Sequence, residues 1–151
     1  MRIIKLLPIL AFPALLASCH MNESARGNRE LAEKEIGQAE KDFEKMAAEK
    51  GIAEAFWYFA DSNATIKRGN DSLITGREGI KHFYSRPYFK TASVSWAPDF
   101  VQASSGADLG YTYGKYTWRS TDSSCHVNES SGIFHTVWKK QADGSWKYVW
   151  D

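Results

Sequence analysis

The sequence predicts a single α+β domain in which helices from the first half of the chain pack on a curved antiparallel sheet built from the second. Three observations carry this. Apolar residues recur at helical spacing between Asn28 and Gly51, strand-like runs rich in β-branched and aromatic residues follow one another from Ala92 onward, and nowhere do strands alternate with helices as parallel βαβ units require.

Residues 1–18 read as a signal peptide. Arg2 and Lys5 give a charged start, and the apolar run from Leu6 to Leu16 is broken by Pro8 and Pro13 and is too short to cross a bilayer. Leu16-Ala17-Ser18-Cys19 resembles a lipobox. That resemblance implies lipidation of the Cys19 sulfur, cleavage before it, and a lipoprotein anchored by lipid to the outer membrane, facing the periplasm or the cell surface. Residues 19–28 are polar and lack an apolar period, so they read as a lipidated tether, with residues 29–151 as the domain. Cleavage removes two basic residues, so Lys+Arg falls from 19 to 17 against 18 Asp+Glu, and the formal charge moves from +1 to −1. The lack of a basic excess argues against nucleic acid as a partner. With Cys19 lipidated, Cys125 stands alone and no intramolecular disulfide can form, so a core must hold the domain together.

In the first helix Asn28 is the expected N-cap, Glu30 and Glu33 suit the positive end of the dipole, and Gly51 ends it. Ile36, Ala39, Phe43, Met46 and Ala47 form its apolar stripe. Ile52 to Ala60 reads as a second, aromatic-rich helix; Asp61-Ser62-Asn63 breaks it and Ala64-Thr65-Ile66 begins a strand. Gly69-Asn70-Asp71 is turn chemistry, and Gly76 precedes a third short helix that Pro87 stops. Strands are expected at Ser93 to Trp96, Phe100 to Ala103, Leu109 to Trp118, Gly132 to Lys140 and Trp146 to Trp150. A Ser-rich loop lies between Ser120 and Ser131, and Asp143-Gly144 is the last hairpin turn. All the aromatic residues except Phe12 and Phe43 lie at or beyond Phe56. In the Leu109 to Trp118 run apolar and aromatic residues occupy both faces, Leu109, Tyr111 and Tyr113 on one and Tyr116 and Trp118 on the other. Both faces therefore have something to cover, either another subunit or a ligand, and a homodimer through the sheet is the expectation.

Phe59-Ala60-Asp61, Ala64-Thr65-Ile66, Gly76 and Gly79-Ile80 leading to Phe83-Tyr84 resemble the opening half of the SnoaL-like and steroid-isomerase-like families. Gly106 to Gly114, Thr136 to Gln141 and Asp143 to Lys147 are similar to the uncharacterised SnoaL-like branch of the nuclear-transport-factor-like superfamily, found in bacterial secreted proteins. The resemblance covers Glu30 to Asp151. It implies a cystatin-like α+β roll: a cone of strongly bent antiparallel sheet closed by about three helices around a deep apolar pocket. Its members include isomerases, dehydratases, cyclases, epoxide hydrolases and binding or scaffold domains, so fold leaves function open. The general base of the steroid isomerases falls here on Arg68, and their second acid on Phe134. Neither side chain does that work, so the resemblance argues against isomerase activity.

Asp61 and His135 remain as catalytic candidates, Asp61 near the pocket mouth and His135 mid-strand among apolar neighbours. An Asx turn at Asp61 and simple packing at His135 are the competing roles. Trp57, Trp96, Tyr113 and Trp138 are the aromatic candidates for a ligand pocket, with Arg68. Arg68 either points into the cone, where its planar fork suits the carboxylate of an anionic apolar ligand, or snorkels to solvent beside Gly69. His82 is expected to face solvent and Asp99 to sit in a turn. Cys125-His126 lacks metal-ligand spacing and no phosphate cradle is present, so neither metal nor cofactor is expected. The sequence thus points to a lipid-anchored domain that binds a small apolar or aromatic molecule, or acts as a dimeric accessory domain. A hydratase-, cyclase- or isomerase-like enzyme using a pocket Asp, His or Tyr is the alternative.

Overall fold

The computed structural model describes residues 16–151 apart from residue 123, with side chains from residue 25 onward. The signal-peptide stretch up to residue 15 and the Cys19 side chain lie outside the described residues. In chain order the elements are α1 (Leu16–Lys50), α2 (Ile52–Phe59), β1 (Ala60–Arg68), β2 (Ser72–Thr75), α3 (Arg77–Tyr84), α4 (Pro87–Lys90), β3 (Ala92–Ala103), β4 (Leu109–Thr121), β5 (Val127–Lys140) and β6 (Trp146–Trp150). The strands form one six-stranded curved sheet in the order β2-β1-β6-β5-β4-β3, with helices packed on its inner face. The α+β class is as the sequence predicts.

Helix α1 starts earlier than the capping signals suggest. Asn28 lies inside it, and the stretch read as a tether is helical from Cys19 onward. Ion pairs one turn apart, Arg26 with Glu30 at 3.0 Å and Arg29 with Glu33 at 3.7 Å, support this exposed end. Gly51, with φ +92°, ends the helix where an L side chain would be strained. Ala32, Ile36, Glu40, Phe43 and Ala47 are the buried positions, one face of a 3.6-residue period.

Several strands differ from expectation. β1 begins at Ala60, immediately after α2, so Asp61-Ser62-Asn63 lies within the strand, at an irregularity in its pairing with β6. The four-residue β2 is too short to show a period of its own, and it pairs with β1 across the Gly69-Asn70-Asp71 turn. β3 is continuous through Pro98, because Pro98 sits at a bulge on a sheet edge, where a missing N–H costs no ladder bond. Most of the Ser-rich segment is strand: β5 starts at Val127, and the turn before it is held by the Asp122 carboxylate accepting from the N–H groups of Ser124 (2.8 Å) and His126 (2.9 Å). The sheet is also not wholly antiparallel. β1 and β6 run parallel, and Lys67 N–H donates to Asp151 O at 2.8 Å while Asp151 N–H donates to Thr65 O at 3.1 Å. This pairing carries Asp151 to the end of β1.

Alternation along β4 sends Gly110, Thr112, Gly114, Tyr116 and Trp118 to the inner face and Leu109, Tyr111 and Tyr113 to the outer one. At Gly110 a Cβ would meet the Ile36 side chain and lie 2.7 Å from Gln102 O, so glycine permits the close approach of α1. Phe43 centres the core, with its ring 4.8 Å from those of Phe56 and Trp96 and stacked on Tyr148 at 5.7 Å. Beside it Glu40 is fully buried, accepting from Trp96 Nε1 (2.8 Å), Trp138 Nε1 (2.9 Å) and the Thr112 hydroxyl. Burial pushes its carboxyl pKa up, against the pull of these three donors.

Candidate functional site

Below α1, where the sheet curls away from α3 and α4, lies a cavity of about 790 Å³. Its walls come from inward-facing strand positions, Val94 and Trp96 on β3, Tyr116 and Trp118 on β4 and Phe134 on β5, and from Phe56 and Phe89 on the helices. Gly132 stands opposite Tyr116 in the ladder, and a Cβ there would lie 2.7 Å from the tyrosine hydroxyl. Glycine at this position lets the phenol pack directly against the backbone of β5.

One end of the cavity is polar. Arg68 Nε donates to the Tyr84 hydroxyl at 2.6 Å, Nη1 to the carbonyls of Lys67 (2.7 Å) and Asp151 (3.1 Å), and Nη2 is paired with the Asp151 carboxylate. Thr136 Oγ1 donates to the second carboxylate oxygen at 3.1 Å. The guanidinium also lies 5.6 Å from the Phe56 ring centroid. Burial alone would lower the arginine pKa, but the Asp151 charge and the Tyr84 contact outweigh it, so the ion stays charged. Burial raises the Tyr84 phenol well above its ordinary value. Tyr84 is therefore neutral, and because its oxygen accepts from Arg68, its own proton is free to donate. The site thus offers an apolar chamber ending in a self-neutralised ion pair, one hydroxyl donor and one carboxylate acceptor.

Of the seven residues singled out in the sequence, Arg68, Trp96 and His135 border this cavity. Trp57 does not: it faces away on α2, stacked between Arg77 (3.8 Å) and Lys81 (4.3 Å), with its indole N–H donating to Glu78 at 2.8 Å. Tyr113 is on the outer face, its ring stacked on Phe100 at 5.1 Å. Trp138 is wholly buried behind the wall, where it donates to Glu40. Asp61 accepts from Asn63 N–H (2.9 Å) and Gln141 Nε2 (3.2 Å), and that backbone bond chiefly holds its pKa low; this is an Asx turn at the strand start. His135 is exposed, and alternation along β5 sends its ring to the outer face, 5.9 Å from Tyr111, although the residue borders the cavity. Asp61 and His135 are not brought together as an acid–base pair.

Two residues of the site, Tyr84 and Asp151, and one buried beside it, Glu40, escape sequence reasoning. Tyr84 reads as a core residue of a short amphipathic helix, which it also is. Asp151 has no pattern around it and reaches Arg68 only through the parallel β1–β6 pairing. Glu40 carried a usable signal, since it lies four residues after Ile36 and three before Phe43, on the apolar stripe itself.

No family model matches the chain, and no curated protein does. Solved structures do. A ketosteroid isomerase-like protein from Erwinia carotovora superposes with a TM-score of 0.63 at 16% identity, covering 76% of this chain and 89% of that one. An NTF2-like protein with a cystatin-like fold from Novosphingobium aromaticivorans gives 0.63 at 14% identity, over 93% of this chain and 88% of that one. The CaMKII hub of S. rosetta gives 0.62 at 19% identity, over 78% and 91%. At these identities the likeness is one of architecture, and the chain has the cystatin-like α+β fold of the NTF2-like proteins.

Proposed function

We propose that this domain binds a small apolar or aromatic molecule in its cone, as a lipid-anchored protein that pairs with a second copy through the outer face of the sheet. The observation that carries the binding reading is the cavity itself: about 790 Å³ walled by aromatic rings, with a polar end whose charges already cancel. Lipidation at Cys19 and an outer-membrane location rest on the sequence of residues 16–19. Pairing is supported by the exposed aromatic outer face, and one structure of similar fold is named a hub.

A second reading has a specific observation behind it. Tyr84 and Asp151 place a hydroxyl donor and a carboxylate at the end of the same apolar chamber, which is the equipment of an acid–base enzyme. In that reading they replace Asp61 and His135 in the catalytic roles.

Naphthol tests the binding reading. The wild type is expected to quench in tryptophan fluorescence and to gain about 2.7 kcal/mol of stability at a hundredfold excess over Kd. Val94→Trp, which projects an indole from the β3 wall into the cavity, is expected to weaken both responses while the protein stays folded. Responses unchanged by Val94→Trp would place the ligand elsewhere.

A further inference from the structure

The sheet has an unfinished edge, and that edge borders the cavity. β5 is paired with β4 along its whole length, from Val127 opposite Thr121 to Lys139 opposite Leu109, but with β6 only from Val137 to Lys140. Backbone alternation shows which groups are left over. Lys140 N–H turns toward the β4 side, to Asp108 O at 2.8 Å, and Gln141 N–H turns the other way, to Ser145 O at 2.8 Å. No register shift interrupts the β4–β5 ladder, so the odd-numbered residues Glu129, Ser131, Ile133 and His135 direct their N–H and C=O groups away from β4. Among the described residues these groups have no hydrogen-bond partner. Ile133 and His135 border the cavity although their side chains project from the outer face, so this part of the rim is main chain. Across the gap stand the ends of β1 and β6, with Arg68, Gly69, Trp150 and Asp151.

Natural sheets blunt such edges with lysine, proline or a bulge. Between Val127 and Thr136 there is no lysine, no proline and no bulge, and Val127 and Ile133 are 66% and 67% exposed. We propose that the open edge of β5 is a docking site for an extended peptide segment, which adds to it as a strand and puts an apolar or aromatic side chain into the cavity. The proposal rests on the reading that the cavity takes an apolar group, and it names the chain that the group belongs to. Its occupant follows from the free groups themselves. Donors and acceptors recur every second residue, about 6.8 Å apart, a spacing that another backbone matches and a small molecule does not. A segment running in the direction of β6 pairs antiparallel with β5, and alternate side chains enter the cavity beside Phe134.

The probe is a blocked hexapeptide alternating threonine and valine with one central phenylalanine, alongside the same peptide N-methylated at alternate residues. Binding of the first is expected to slow amide hydrogen exchange at Ser131, Ile133 and His135, while the even-numbered amides, already bonded to β4, do not change. The N-methylated peptide, with its side chains kept and its donors removed, is expected to bind at least about tenfold more weakly. Ile133→Pro removes one edge donor without touching the β4 ladder, and is expected to weaken the peptide about fivefold while Ile133→Ala does not. Equal binding of both peptides to the wild type, or no protection of the odd-numbered amides, overturns the proposal. Naphthol binding measured in the same samples shows whether the cavity reading has failed with it. Protection of the same amides without peptide, rising with protein concentration in Tyr113→Glu as well as in the wild type, also overturns it, because a second copy then occupies the edge.

Discussion

The Arg68 guanidinium is held by the Asp151 carboxylate, 83 residues away in sequence, and the pair closes the polar end of the cavity. Its consequence is electrostatic. With Nε on Tyr84, Nη1 on two carbonyls and Nη2 on Asp151, the fork is already engaged by groups of the chain itself. An incoming carboxylate meets a charge that is already neutralised, with another carboxylate beside it. The wild type is therefore expected to bind naphthoate no more tightly than naphthamide. Asp151→Asn leaves Arg68 without its counter-charge, and naphthoate should then be preferred by about tenfold, or 1.4 kcal/mol. Calorimetric titration of both compounds on both proteins checks this. A carboxylate preference in the wild type would mean that Asp151 gives way to ligand.

Glu40 sets a pH dependence of stability. Its folded pKa is raised by burial, so the native state binds this proton more tightly than the unfolded chain does. The stability it contributes is fully present below its unfolded pKa, about 4.3, and is lost as pH rises through the higher folded value. When protonated, its O–H can donate to Thr112, whose hydroxyl then acts as acceptor, and both indole N–H groups keep their partners. Glutamine cannot do the same, because its NH₂ faces an indole donor whichever way it turns. Glu40→Gln is expected to cost about 1–3 kcal/mol. It should also flatten the decline in stability above the unfolded pKa that denaturant titrations of the wild type are expected to show. Parallel pH profiles for the two proteins would remove Glu40 as the cause.

Periodicity made most of the architecture legible. Ile36, Phe43 and Ala47 are buried where the helical stripe puts them, and Tyr113 and Tyr116 lie on opposite faces as alternation requires. What failed depended on pairing between distant segments. The parallel β1–β6 contact has no local signature, and with it went Asp151 and the partner of Arg68. Asp61 drew attention by its place after the second helix, and His135 as a polar residue among apolar ones. Yet strand alternation puts His135 on the same side as Ile133, and that phase could have been read from Thr136 and Trp138. Trp57 and Trp138 show the limit of residue type: one indole is stacked between surface cations and the other is sealed in the core.

Lipidation makes a prediction that stands apart from the cavity. If Cys19 carries the anchor, the wild type partitions into detergent and its N-terminus is blocked at Cys19. Cys19→Ala should give an unprocessed precursor or a soluble product with the same melting temperature, since the cavity and core begin beyond it. A wild type that is wholly aqueous, with a free N-terminus elsewhere, would rule the anchor out.

The outer face of the sheet is expected to join two copies. Phe100 and Tyr113 stack there, 38% and 41% exposed, with Leu109 and Ile133 more exposed still. Apolar and aromatic surface of this kind, on a face that the helices do not cover, fits an interface better than a wall facing water. In a twofold dimer each contact occurs twice, so Tyr113→Glu introduces two charges into one buried patch. Light scattering is expected to give a dimer mass for the wild type and a monomer mass for Tyr113→Glu. Melting of the monomeric domain should change little, because the Tyr113 side chain leaves the core untouched. Ile133 separates this interface from the β5 edge. Its side chain belongs to the outer face and its N–H to the edge, so Ile133→Glu should break the dimer, whereas Ile133→Pro should impair peptide pairing. A wild type that is monomeric at high concentration would remove the dimer and leave the edge proposal standing.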